Sequence, residues 1–232
     1  MYFDETPKSS MDDFYNYRVQ LNELASGLRT GTRLTLIQGL RRTGKTSLIL
    51  TALNKATFPS LMIDGRSFPE SPVITRAEFV RSMQRCLNDF LQTNKNWRKR
   101  FLDALKGIRG VEVQAGANYA VRLSWGGLEA EALDLPALFR ALGDAARSEG
   151  TYFVIVFDEA QEFIRLRGYD LVLLFSHIYD AVPSIELVIT GSAIGLVHNF
   201  LKLDDPKAPL FGRAVRTIRL DPLANDSAKE FL

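Results

Sequence analysis

The stretch "GLRRTGKTSL", Gly39–Leu48, decides how the rest of the chain is read. It follows the apolar run "LTLIQ" and leads into "ILTALNKA", so a buried strand, a short loop and a helix are expected in that order. Gly39, Gly44, Lys45 and Thr46 satisfy the spacing G-x-x-x-x-G-K-[ST] in full. Glycines at those places let backbone N–H groups curl around phosphate oxygens, and the helix start adds partial positive charge. Lys45 is expected to reach the β- and γ-phosphates of a nucleotide, and Thr46 to offer its hydroxyl to Mg²⁺. Leu40, Arg41, Arg42, Thr43 and Ser47 complete the expected cradle, although Arg41 also reads as a solvated side chain at the loop tip. The competing reading is an ordinary glycine-rich turn between a strand and a helix.

Working outward, Tyr17, Leu21, Leu24 and Leu28 recur at helical spacing and predict an amphipathic helix ending near Gly31, ahead of a first strand at 33–38. "SLMIDGR" reads as a second strand, and 75–93 and "NWRKRFLDALK" as helices. The segment 111–125 alternates apolar residues around "AGAN", which predicts a β-hairpin inserted between helices. A helix through "LPALFRALGDAARSEG", with Pro136 in its first turn, precedes the most hydrophobic run, "YFVIVF". A helix near "LVLLFSHIYDAV", a strand "IELVITGS" and a last strand "VRTIRL" follow. Short continuous apolar strands alternating with helices imply an α/β fold, a parallel sheet covered on both faces. At the end, Ser227 and Glu230 have capping-box spacing, so a helix is expected to begin within 224–232. A helix that short is not stable alone, so the chain is expected to be a fragment cut at the start of a further helical domain.

"YFVIVFDE" places two carboxylates at the C-terminal end of a strand, where open α/β sheets hold their ligands. Asp158 is expected to support Mg²⁺ beside Thr46, and Glu159 to orient a water and take its proton during attack on the γ-phosphate. The plain alternative is that Asp158 caps the next helix. "LVIT" ends in Thr190, Gly191 and Ser192, which predicts that Thr190 or Ser192 senses the γ-phosphate or the attacking water, unless Ser192 simply caps a helix.

Composition narrows the class without choosing a partner. With 46% hydrophobic and 24% charged residues, 232 residues are enough for one large α/β domain with a sizeable core. No run approaches the ~18 apolar residues of a membrane span, and "MYFDETPKSS" has no targeting pattern, so a cytoplasmic protein without a membrane partner is expected. The lone Cys86 has no internal disulfide partner. A net charge of +2 neither demands nor excludes nucleic acid, and "KNWRKR" reads first as a solvated helix face. His177 and His198 lack ligand-spaced partners, so no metal other than Mg²⁺ is suggested. Asn54 and Lys55 have no aspartate at position 57, which argues against guanine recognition.

Taken in order, "GLRRTGKTSL", "FDEAQ", "VITGS" and "LFGRAVRTIRL" resemble the archaeal-type ATPase family, grouped with the AAA+ and STAND classes of P-loop NTPases. The resemblance spans 17–223. It implies a three-layer αβα sandwich with a five-stranded parallel core in the order 5-1-4-3-2, and ATP or ADP with Mg²⁺ as the ligands. An ATPase core over 1–223 would then continue into a C-terminal helical lid and a winged-helix domain. By the same resemblance Arg18, in "YRVQLNEL", would help enclose the adenine, although Gln20 stands where an acid is usual. Arg213, after Gly212, would approach the γ-phosphate in its own subunit or across an interface. The implied partners are ATP and, through the C-terminal domain, DNA or a protein client, with a homo-oligomer left open. Three functions fit this sequence: an ATPase driving a conformational switch, a nucleotide-gated DNA-binding protein, and an ADP-locked signalling scaffold.

Overall fold

The computed structural model describes residues 6–114, 119–126, 131–192 and 194–223. The expected lid helix at 224–232 lies outside them. Seven α-helices and seven strands appear among the described residues: α1 (Arg18–Thr30), β1 (Leu34–Gly39), α2 (Lys45–Ala56), β2 (Ser60–Asp64), α3 (Arg76–Thr93), α4 (Lys95–Leu105), β3 (Val111–Gln114), β4 (Ala120–Leu123), α5 (Leu135–Arg147), β5 (Phe153–Asp158), α6 (Leu171–Ala181), β6 (Ile185–Gly191), α7 (Ile194–Leu201) and β7 (Arg216–Leu220).

Five strands form one parallel sheet in the order β2-β5-β6-β1-β7. Counted along the core alone, this is the expected 5-1-4-3-2 order. Every residue of β1, β5 and β6 is buried, as continuous apolar strands require when both faces are covered. On one face α1 and α2 pack Leu21, Leu24, Leu28, Leu48 and Ile49 against Ile37, Val154, Val156 and Val188. The opposite face carries the larger core, in which Phe157 meets Phe175 with ring centroids 4.7 Å apart and Phe101 meets Phe153 at 5.2 Å.

Local chemistry fixes the helix starts on that face. Thr75 and Glu78 form a reciprocal capping box on α3, and Asp134 and Asp170 cap α5 and α6 through their carboxylates. The hairpin expected at 111–125 is present as β3 and β4, paired antiparallel with Val111 opposite Leu123. The outer edge of β4 is not left open. Asn88 of α3 exchanges two hydrogen bonds with Val121 (2.8 and 3.0 Å), and Gln84 accepts from the Leu123 amide at 2.8 Å. Two amide side chains one helical turn apart thus take the place of a neighbouring strand, which protects the edge from adventitious pairing.

Candidate active site

The parallel register brings Gly39, Asp64, Asp158 and Gly191 to the same edge of the sheet, the C-terminal ends of β1, β2, β5 and β6. From Gly39 the chain turns through Leu40–Thr43, whose last hydroxyl bonds the Leu40 carbonyl at 2.9 Å, and enters α2 at Lys45. Gly44 caps the helix start at φ +88°, a left-handed conformation that a side chain would strain. The Lys45 side chain folds back under the loop. Its ammonium donates to the carbonyls of Gly39 (3.0 Å) and Leu40 (2.8 Å) and stands 3.7 Å from Oε1 of Glu159. Burial holds the Lys45 ammonium below its ordinary value, opposed by the Glu159 and Asp158 charges.

Asp158 is fully buried, and both of its oxygens are engaged. Oδ2 accepts from the Thr46 hydroxyl at 2.8 Å, and Oδ1 accepts from the Thr190 hydroxyl and, at 3.2 Å, from the Glu159 amide. Glu159 sits at φ +49°, uncommon for a residue with a side chain, and this turns its carboxylate back over the sheet edge. Its Oε2 accepts from the Gln161 side-chain amide at 2.7 Å and from the Ser192 backbone amide at 3.1 Å, which leaves Oε1 on the side of Lys45. Burial alone would push the Glu159 carboxyl up. Hydrogen bonds from Gln161 and Ser192, with the Lys45 charge, outweigh it and hold the carboxyl below the usual glutamate range.

Lys45, Thr46, Asp158, Glu159, Thr190 and Ser192, which come from the start of α2 and the ends of β5 and β6, therefore share one cluster. A hydroxyl beside a carboxylate is a hard-oxygen donor set of the kind Mg²⁺ prefers, so the residues fit that ion. Thr190 bonds Asp158 directly, whereas Ser192 reaches Glu159 through its backbone and accepts from Gln161 through its hydroxyl at 3.3 Å.

Two expected residues stand apart from this cluster. Arg18 is exposed at the start of α1, next to Tyr17, and the ~480 Å³ cleft beside the loop is walled by Phe14, Tyr15, Tyr17, Pro222 and Leu223, together with Leu40 and Thr43. The Tyr17 hydroxyl bonds the Asp221 carbonyl and so ties the segment before α1 to the end of β7. Arg213 precedes β7, which starts opposite Thr35 near the beginning of β1, so it lies at the opposite sheet edge, roughly 15 Å from the loop at ~3.3 Å per strand residue. There it pairs with Asp180 through Nε (3.1 Å) and Nη2 (2.5 Å). The option of contact within the same subunit is not met by this arrangement.

Sequence reading passed over Gln161, the aromatic group at 14–17, and Arg66. Gln161 stood in view two residues after Glu159. The aromatics and Arg66 carry no motif spacing, and only the fold brings them to the site.

No family model matches the sequence, and no curated protein matches it. Among solved structures, the chain is similar over its whole length to a Walker-type ATPase of Pyrococcus abyssi, with 31% identity and a TM-score of 0.76, and it spans 60% of that protein. It also resembles the Aeropyrum pernix ORC2 protein in its ADPNP–ADP complexes (12% identity, TM-score 0.56, 99% of this chain and 54% of that one). The Aeropyrum pernix ORC1 protein in complex with DNA is a further likeness (15% identity, TM-score 0.53, 94% and 48%). These two, at low identity, show the shared fold alone. The loop motif, the strand order and the likeness to the Pyrococcus protein agree: the chain has the P-loop ATPase fold and is similar to an archaeal Walker-type ATPase.

Proposed function

We propose that the chain binds ATP with Mg²⁺ in this cleft and hydrolyses the terminal phosphate, and that turnover drives a conformational switch. The observation that carries the reading is the convergence of Lys45, Thr46, Asp158 and Glu159, drawn from two distant segments, within one hydrogen-bonded group. The loop amides and the Lys45 ammonium would grip the phosphate oxygens, and the aromatic cleft around Tyr17 would take the base. Thr46 and Asp158 would hold Mg²⁺, which when bound neutralises charge on the phosphate oxygens. Glu159 keeps an ionised carboxylate with Oε2 pinned and Oε1 turned inward, the arrangement needed to orient a water and accept its proton. Arg213, from its place at the far edge, would serve a neighbouring copy rather than its own site.

The test is phosphate release by wild type and Glu159→Gln, with ATP binding measured in parallel by calorimetry. Release should fall at least 100-fold while affinity stays within a fewfold. Equal turnover would remove Glu159 from the reaction.

A nucleotide-gated DNA-binding role is the second reading, and one segment favours it. From Arg76 to Trp125 there are ten Lys or Arg against four Asp or Glu, although the whole chain has an excess of only two. Within that segment Arg81 stacks over the exposed Trp125, and Arg98 over the exposed Tyr119. Basic groups with exposed aromatics suit single strands, which bind by phosphate neutralisation and stacking. Anisotropy of a labelled oligonucleotide should show salt-sensitive binding that Trp125→Ala weakens. Binding unchanged in that variant would dismiss this segment.

A further inference from the structure

Beyond the residues placed so far, one cation stands at the mouth of the site. β2 ends in Asp64, directly opposite Asp158 in the register, and the chain continues through Gly65 into Arg66. Gly65 makes the approach possible. A Cβ there would lie 2.7 Å from the Glu159 carbonyl and 2.8 Å from Cβ of Glu162, inside contact distance for both.

The Asp64 carboxylate then fixes Arg66. Oδ1 accepts from its backbone amide (2.9 Å) and Nε (3.0 Å), and Oδ2 accepts from Nη2 at 2.9 Å. Held in this fork, Nη2 stands 3.4 Å from Oδ2 of Asp158. That oxygen is also the one that accepts from Thr46. A guanidinium and a divalent cation would therefore address the same side of the same carboxylate. Asp158 is fully buried while the Arg66 side chain is 44% exposed, so the arginine reaches in from solvent and has room to withdraw.

We propose that Arg66 is a positioning residue, a tethered counter-ion that neutralises Asp158 before the metal nucleotide arrives and must yield to it. The proposal rests on the Mg²⁺–ATP reading above. It follows that the Mg²⁺ requirement of nucleotide binding is set by competition with a protein cation. The tether to Asp64 keeps the displaced arginine at the rim, ready to return when Mg²⁺ leaves.

The experiment is a Mg²⁺ titration of the binding of a fluorescent, non-hydrolysable ATP analogue. Arg66→Ala, and Arg66→Gln as a variant that keeps planar hydrogen-bonding capacity, should move the Mg²⁺ midpoint about five- to tenfold lower, as removal of one nearby charge in a half-solvated site implies. An unchanged or higher midpoint in both Arg66 variants would overturn the proposal. A purely structural arginine would lower the melting temperature and leave the midpoint in place. Lys45→Ala in the same assay tests the underlying reading separately, because unaltered binding there would refute the nucleotide site itself.

Discussion

The Thr190 hydroxyl donates to Oδ1 of Asp158 and also accepts from the Glu159 amide at 3.0 Å, so one side chain on β6 positions both acids at the end of β5. Both bonds are buried. Thr190→Val keeps the shape and leaves Oδ1 of Asp158 and the Glu159 amide with only their mutual 3.2 Å hydrogen bond. Chemical denaturation should show a loss of about 1–3 kcal/mol, the usual consequence of removing a buried hydrogen-bond partner from a charged group. Turnover should fall further than stability alone explains, because the Glu159 backbone loses one of its anchors while the carboxylate keeps only the hydrogen bonds from Gln161 and Ser192. A variant with wild-type stability and rate would show that Thr190 positions neither acid.

Gln161→Ala removes one of the hydrogen bonds that hold the Glu159 carboxyl below its ordinary range against burial. The carboxyl pKa should therefore rise. A base works only when ionised, so the acid limb of the kcat/KM profile for ATP should move to higher pH, with little change at alkaline pH. A depressed carboxylate also contributes stability that is present above its unfolded pKa and lost as pH falls through the folded one. The variant should lose part of that acid dependence in urea melts at successive pH values.

Glu186 on β6 behaves in the opposite sense. It is 1% exposed, neither carboxylate oxygen has a hydrogen-bond partner, and burial, only partly offset by Arg216, pushes its carboxyl up from 4.5 to about 9. Between those values the folded chain binds a proton that the unfolded chain has released, so stability falls as pH rises. At pH 7 the penalty is roughly 3 kcal/mol. Glu186→Gln should flatten this slope between pH 5 and 8. An unaltered slope would place the titration in another group.

Arg213 pairs with a largely exposed Asp180, a contact that contributes little to stability. Arg213→Ala should leave both the melting temperature and the ATP dissociation constant near wild type. If the arginine serves a neighbouring copy, wild-type specific activity should rise with protein concentration, and the variant should lose that rise. Activity independent of concentration in both proteins would exclude the intermolecular role.

The hairpin, the phosphate loop and the acidic strand end were legible in the sequence for local reasons, whereas the strand order followed only from the family resemblance. A continuous apolar run of about four to eight residues bounded by turn residues fits a strand buried on both faces, and glycine spacing before a helix start is a backbone requirement carried within ten residues. Arg18 and Arg213 were placed by position in a motif. Which way each side chain points depends on the elements packed around it: Arg213 pairs with Asp180 at the far ends of the strands, and Arg18 is exposed beside Tyr17.

What the sequence determined by itself was the kind of chemistry, because phosphate binding is dictated by adjacent residues along one loop. The tertiary structure decided which distant groups serve it. Tyr17 meets Asp221, and Arg66 meets Asp158, across 204 and 92 positions of chain. The physical reason is register: parallel pairing aligns the ends of β2 and β5, and Gly65 removes the one atom that would hold them apart.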